Sequence, residues 1–180
     1  MYLKRGVSKV EHVIEECGDP RSIPRDLLYL ADPSDEMLNA YVDVSFAFVC
    51  RIDHEIVGAL LMMPTRPFTV EIMNISVRES YWNQGIGRKL IQGAVKKARE
   101  TGMRKVEIGT GNPGVVQMLL YQKCGFRITG VEFDYFRRCC AEKIIENEIE
   151  CRDMIRMEMH LDEDTEQGES RGRNTRGAVA

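Results

Sequence analysis

Apolar and polar positions recur at two different periods along this chain, and the changes of period mark its elements. Ile86, Leu90, Ile91, Ala94, Val95 and Ala98 fall at helical spacing, with Arg88, Lys89, Gln92, Lys96, Lys97 and Arg99 mainly on the other faces. Thr101-Gly102 stops that helix, because glycine accepts the left-handed conformation that closes one. Ser45–Arg51 and Ile56–Met63 read as two strands around a hairpin turn at Ile52–Glu55. Phe126–Val131 and the alternating run Met154–Met159 read as later strands, the last closing the sheet. Tyr2–Val7 predicts a first strand. Ser8 is placed to cap a helix carrying Val10, Val13 and Ile14 and ending near Gly18-Asp19-Pro20. Leu27, Leu28, Leu30, Met37, Leu38 and Tyr41 predict one or two short helices, broken and capped by Asp32-Pro33-Ser34-Asp35.

One strand breaks its own period. Between Val70 and Val77, Val70 and Ile72 share a face, whereas Ile75 and Val77 would fall on the opposite one. An extra residue near Met73 or Asn74 restores all four to one side, which is the trace of a β-bulge. A bulge bends a strand away from its neighbour and opens a gap in the sheet. This strand leads into Trp82-Asn83-Gln84-Gly85-Ile86-Gly87, a tight turn in front of the long helix. Such a turn aims several backbone N–H groups at one spot, where aligned peptide dipoles place about half a positive charge. A phosphate or pyrophosphate is its natural guest. A P-loop is excluded, since Gly87 is followed by Arg88-Lys89 rather than Lys-Ser/Thr; a dinucleotide fold would need a third glycine and an acidic strand end.

Antiparallel strands followed by strand–helix units predict an α/β (α+β) fold: a mixed, mostly antiparallel sheet with helices on both faces. With 180 residues and 43% hydrophobic content the chain has room for one domain with a sizeable core, expected over residues 1–161. After Leu161 almost no large apolar residue remains, so residues 162–180 are expected to be a disordered tail. Residues 134–150 are highly charged and read as a solvated helical excursion packed through Ile144, Ile145 and Ile149. As a rim over a pocket, its Glu142, Glu146 and Glu148 would favour a cationic ligand.

The net charge of −3, without a stripe of Lys and Arg interleaved with aromatics, argues against a nucleic-acid binder. No long apolar run opens the chain, which predicts neither signal peptide nor membrane span, and hence a cytoplasmic location. Six cysteines then read as reduced thiols. His12, His54 and His160 lack a metal spacing and no C-x-x-C occurs, so no metal site is expected.

Val70–Ile91 resembles motif A of the GNAT superfamily of N-acetyltransferases, whose usual turn reads (Gln or Arg)-x-x-Gly-x-(Gly or Ala), and the chain looks like a bacterial-type member. Gly85 and Gly87 match, and Trp82 stands where Gln or Arg is usual. Gly109–Phe126 resembles motif B through Leu120-Tyr121-x-Lys123-x-Gly125-Phe126. Asn112 lies two residues further upstream of Tyr121 than the family's usual Asn, and Gly114 occupies that position. The resemblance covers roughly residues 40 to 132 well. It implies a sheet of about seven strands with a splayed central strand. It also implies acetyl-coenzyme A as co-substrate, held by Ile75, Ser76, Val77, Trp82, Asn83, Gln84, Gly85, Ile86, Gly87, Arg88, Asn112 and Gln117. It further implies a small-molecule or peptide amine as acceptor, and it allows a homodimer paired through sheet edges.

Acetyl transfer from a thioester to an amine has three requirements: a neutral amine, a donor for the oxyanion, and a proton or hydrogen bond for the departing thiolate. An amine with a pKa near ~10 costs about 4 kcal/mol to deprotonate at pH 7 without help. Glu71, on the bulged strand upstream of the thioester position, is the candidate base; Asp134 and Glu132 are other carboxylates to weigh. Backbone N–H near Ile75 and Val77 would polarise the thioester carbonyl. The resemblance puts Tyr121 beside the sulfur as proton donor. The strand text Asn74-Ile75-Ser76-Val77 is similar to GNATs that act on protein N-termini, and an aminoglycoside or polyamine acceptor fits the acidic 134–150 segment. The competing expectation is a GNAT-like domain that binds acyl-coenzyme A as a sensor without turnover. Tyr121 favours the enzyme, because a pure binder needs no thiolate donor.

Overall fold

The computed structural model describes residues 12–140 and 142–161. A seven-stranded sheet runs in the order β1-β2-β3-β4-β5-β9-β6, and a separate two-stranded hairpin is formed by β7 and β8. Its strands are β1 Ile14–Cys17, β2 Phe46–Ile52, β3 Glu55–Arg66, β4 Thr69–Val77, β5 Lys105–Gly111, β6 Arg127–Glu132, β7 Ile145–Glu146, β8 Ile149–Glu150 and β9 Met154–His160. Helices are α1 Arg25–Leu28, α2 Asp35–Tyr41, α3 Ile86–Glu100, α4 Val115–Lys123 and α5 Tyr135–Cys139. All pairings in the large sheet are antiparallel except β4 with β5. The fold is therefore the mixed, mostly antiparallel sheet that the pattern predicts.

Each face of the sheet carries its own core. Leu90, Ile91, Ala94 and Ala98 of α3 and Tyr121 of α4 pack on Val70, Ile72, Val106, Ile108 and Met157. On the other face Leu27 and Leu28 of α1 and Leu38 and Tyr41 of α2 pack on Ala47, Val49, Ala59 and Leu61. That second cover extends over β2, β3 and β4, and further along the same face Tyr135 of α5 lies against Arg156 of β9. Local chemistry sets the elements. Asp53 and His54 both have positive φ, 49° and 68°, the two-residue turn that joins twisted antiparallel strands. Ser34 Oγ accepts from Met37 N at 3.3 Å and starts α2.

The bulge lies where the broken period puts it. Register passes from Met62↔Ile72 to Leu61↔Asn74, so Met73 is the extra residue. Ile75 and Val77 consequently pack on the same cluster as Val70 and Ile72, while Asn74 turns to the opposite face.

Two expectations are corrected. Ile14–Cys17 is a strand, not the end of a helix: it pairs with Ala47–Cys50, and Val13 stays exposed. Backbone pairing at the sheet edge, with Glu15 bonded to Arg51 and Glu16 to Lys97, outweighs a short helical stripe. Residues 134–150 are a five-residue helix followed by a hairpin, not a helical excursion. Asn147 and Glu148 take positive φ, 51° and 63°, and make the turn; Ile145 and Ile149 are exposed rather than packed. The expected strand Tyr2–Val7, the cap at Ser8 and the tail 162–180 lie outside the described residues. Among the described residues no helix is long and apolar enough to cross a membrane.

Candidate active site

The parallel pair β4–β5 is only half zipped. It runs from Thr69↔Lys105 to Ile72↔Ile108 and stops there, although β4 continues to Val77 and β5 to Gly111. The bulge at Met73 is the cause, because it swings the second half of β4 away from β5. On the β3 side Arg78 N bonds Val57 O at 2.8 Å. Alternation of the antiparallel ladder then turns the Ser76 and Asn74 amides toward β3 and the Ile75 and Val77 amides outward, into the gap. Trp82 Nε1 donates to Val77 O at 2.7 Å, consistent with a carbonyl that also points outward. Trp82 itself is exposed, so its indole ties the turn to the strand end.

The turn delivers a helix mouth beside that gap. Gly85 caps α3 with φ 80° and Asn83 holds φ 60°, both in the left-handed region. The helix ladder begins with Lys89 N on Gly85 O, which leaves the amides of Ile86, Gly87 and Arg88 without a partner in the preceding turn. Gln84 Nε2 donates to Ser80 O at 3.3 Å and steadies the loop. Close packing sets how far the mouth protrudes. A Cβ on Gly58 would come 2.9 Å from Ile86 Cγ2, and one on Gly87 would come 3.3 Å from Leu120 Cδ2. A basic trough continues along α3, lined by Arg88, Lys96, Arg99 and Lys123.

Motif B closes the other side. Gly114 opens α4, and a Cβ there would stand 2.3 Å from Thr110 Oγ1 and 3.0 Å from Gly111 O, so a side chain at this position would have to push Thr110 aside. Tyr121 is buried on α4 near Phe126. Burial holds its phenol proton more tightly than in water, so it stays a donor through the physiological range. Among the described residues its hydroxyl has no protein hydrogen-bond partner. Asn112 is differently employed: its Oδ1 accepts from Arg152 N (2.8 Å) and Asp153 N (3.0 Å), and its Nδ2 donates to Glu150 O at 3.1 Å. It clasps the end of β8 to the end of β5. Gln117 Nε2 lies 3.5 Å from Glu146 Oε1 of the hairpin.

Glu71 lies on the face opposite Tyr121. Its carboxyl is held above the usual range chiefly by desolvation, against the opposing pull of Arg156, whose Nη1 lies 2.8 Å away. It lines a cavity of about 400 Å³ with Glu107, Arg66, Glu132, Thr129 and Arg156. Arg156 bonds Glu132 through Nε at 3.2 Å and Nη2 at 2.7 Å, and lies over the Tyr135 ring. Of the carboxylates weighed beside Glu71, Glu132 thus shares the cavity, whereas Asp134 is taken up by Arg152 at 2.7 Å. Arg66, Glu107 and Arg156 are missing from the residues the sequence reading singles out. The signal for them is phase: Glu107 and Arg156 occupy the polar positions of strictly alternating strands.

Fold and site together define an acyltransferase of the N-acetyltransferase class. The model of the acetyltransferase (GNAT) family matches residues 12–126, and the chain belongs to that family. It is 44% identical over 136 residues to the uncharacterized N-acetyltransferase YvbK of Bacillus subtilis (strain 168), covering 76% of this chain and 88% of that one. Among solved structures, one described as IAA acetyltransferase from Bacillus cereus ATCC 14579 superposes with TM-score 0.80 at 48% identity, covering 84% of this chain and all of that one. A GNAT family acetyltransferase from Elizabethkingia anophelis, solved with acetyl-CoA bound, gives 0.79 at 41% identity, covering 83% of this chain and 98% of that one.

Proposed function

We propose that this enzyme moves an acetyl group from acetyl-CoA directly to a primary amine, with no covalent enzyme intermediate. The observation that carries the reading is the half-zipped junction: pairing ends at Ile72↔Ile108, and two β4 amides point into the opening beside the mouth of α3. The relative from Elizabethkingia anophelis that holds acetyl-CoA supports the choice of donor.

The α3 amides of Ile86, Gly87 and Arg88 take the pyrophosphate, and the trough with Arg88 and Lys96 suits the nucleotide end. Ile75 and Val77 N–H, with no β5 partner, line up the pantetheine arm and polarise the thioester carbonyl. Tyr121 on one face gives a hydrogen bond or proton to the departing thiolate. From the other face Glu71, its basicity raised by burial, takes the proton of the amine. The amine thus adds to the carbonyl carbon, the Ile75 and Val77 amides hold the oxyanion of the tetrahedral intermediate, and its collapse expels the thiolate toward Tyr121. The Asn112 contact enters this scheme only through the one amide hydrogen that the β8–β9 clasp does not use.

The test is release of free thiol from acetyl-CoA with a panel of primary amines, alongside calorimetry with coenzyme A. Acceptor-dependent thiol release is the expected result. Tight binding of coenzyme A with no release for any amine would overturn the catalytic reading.

A further inference from the structure

The cavity around Glu71 has a charge arrangement that selects among amines. We infer that its acceptor is an α-amino acid, a molecule that brings a carboxylate together with the reacting amine. The inference rests on the acetyl-transfer reading above and deepens it.

Glu71 and Glu107 form the floor, opposite one another across β4 and β5, with side chains only 19% and 18% exposed. Two guanidinium groups close over them. Arg66, at the end of β3 and 61% exposed, bonds Glu107, and Arg156 bonds Glu71. An ammonium that takes the place of Arg156 Nη1 on Glu71 Oε1 breaks one protein ion pair. Arg156 is not stranded by that exchange, since Nε and Nη2 remain on Glu132. Arg66 is likewise replaceable, because Lys105 Nζ holds Glu107 at 2.7 Å. Entry of one ammonium at Glu71 thus frees a guanidinium N–H of Arg156, and Arg66 beside it can leave Glu107 without stripping that carboxylate of its partner.

Charges withdrawn from water are costly unless partnered. A diamine would set its second ammonium against Arg156 and Arg66. A simple monoamine would leave the freed Arg156 Nη1 without an anion. A ligand bearing both signs exchanges one protein ion pair for two ligand ion pairs and keeps all groups matched. Arg156 Nη1 stands 2.8 Å from Glu71 Oε1, so the two groups that replace this contact must be a few bonds apart, as in an α-amino acid. Arg66 is the specificity-determining residue: it lines the cavity, its partner Glu107 keeps Lys105 when it leaves, and a guanidinium grips a carboxylate through two parallel N–H donors.

The experiment measures thiol release with α-amino acids, their matching carboxamides and putrescine, using wild type, Arg66→Gln and Arg66→Lys. The same compounds are titrated calorimetrically into protein saturated with coenzyme A. We expect kcat/KM for the carboxylates to exceed that for the carboxamides by at least about tenfold. Arg66→Gln brings that ratio toward one, and Arg66→Lys keeps part of it. Equal or better use of carboxamides or putrescine by wild type overturns the inference and leaves the transferase reading intact. If none of these compounds is acetylated, the inference fails, whereas the transferase reading falls only if no other primary amine releases thiol. The titrations are expected to show tighter binding of the carboxylates than of the carboxamides, and equal binding overturns the inference.

Discussion

Glu71 stands directly opposite Glu107 in the parallel register of β4 and β5, one position before the two strands part. Two carboxylates thus stand side by side at the root of the gap, where the proposed reaction needs a proton acceptor. Arg156 holds one of them and Arg66 the other.

The raised Glu71 carboxyl sets a pH dependence. Only the carboxylate can accept the amine proton, so kcat/KM falls as pH drops through its pKa. That acid limb should lie above the ordinary value of 4.5, because desolvation favours the neutral form. Glu71→Gln should lower kcat/KM by about 10²- to 10⁴-fold and erase the limb. A limb at the same pH in the variant would assign the base to another group.

Tyr121→Phe removes one oxygen from a buried ring and little else. Turnover should fall by about tenfold or more while the affinity for coenzyme A stays within about twofold. Single-turnover kinetics with calorimetry check both. Unchanged turnover would take Tyr121 out of the chemistry.

Two glycines test the phosphate mouth from different sides. Gly87→Glu sets an anion among the first-turn amides, and coenzyme A binding should disappear from calorimetric traces while the circular dichroism spectrum persists. Gly58→Ala pushes a methyl against Ile86 Cγ2 at 2.9 Å and Leu90 Cδ1 at 3.3 Å. It should cost about 1–3 kcal/mol of stability and weaken coenzyme A binding together, because Ile86 begins α3. Normal affinity in Gly87→Glu would contradict the mouth as the pyrophosphate site.

Asn112→Ala should destabilise the fold by about 1–3 kcal/mol, since the amides of Arg152 and Asp153 lose their acceptor. Denaturant titration measures this. A variant as stable as wild type, but defective in coenzyme A affinity, would show that Asn112 serves the ligand rather than the clasp.

The bulge, the helix mouth and the two motifs were legible in the chain because each rests on local chemistry. The phase slip at Met73 shows in four apolar residues, and Gly85 and Gly87 announce a left-handed cap and a close approach. The β1 strand was not legible, since Ile14 and Cys17 suit a helix as well as a strand until Ala47–Cys50 lies alongside. The hairpin at 145–150 was hidden for a related reason: Asn147-Glu148 is a weak turn signal, and two-residue strands have no period to read.

The alternation of side chains and the phase slip were thus written into the amino acids themselves, as were the glycine turn and the tyrosine of motif B, through rules that reach only a few residues; the order of strands was not, since β9 enters between β5 and β6 rather than closing the sheet. Tertiary structure alone decided that Glu71 meets Glu107 and Arg156, that Arg66 closes over them, and that Asn112 fastens β8 rather than standing free. Those contacts join residues 36 to 85 positions apart, and pairing between distant strands exists only once the sheet has assembled.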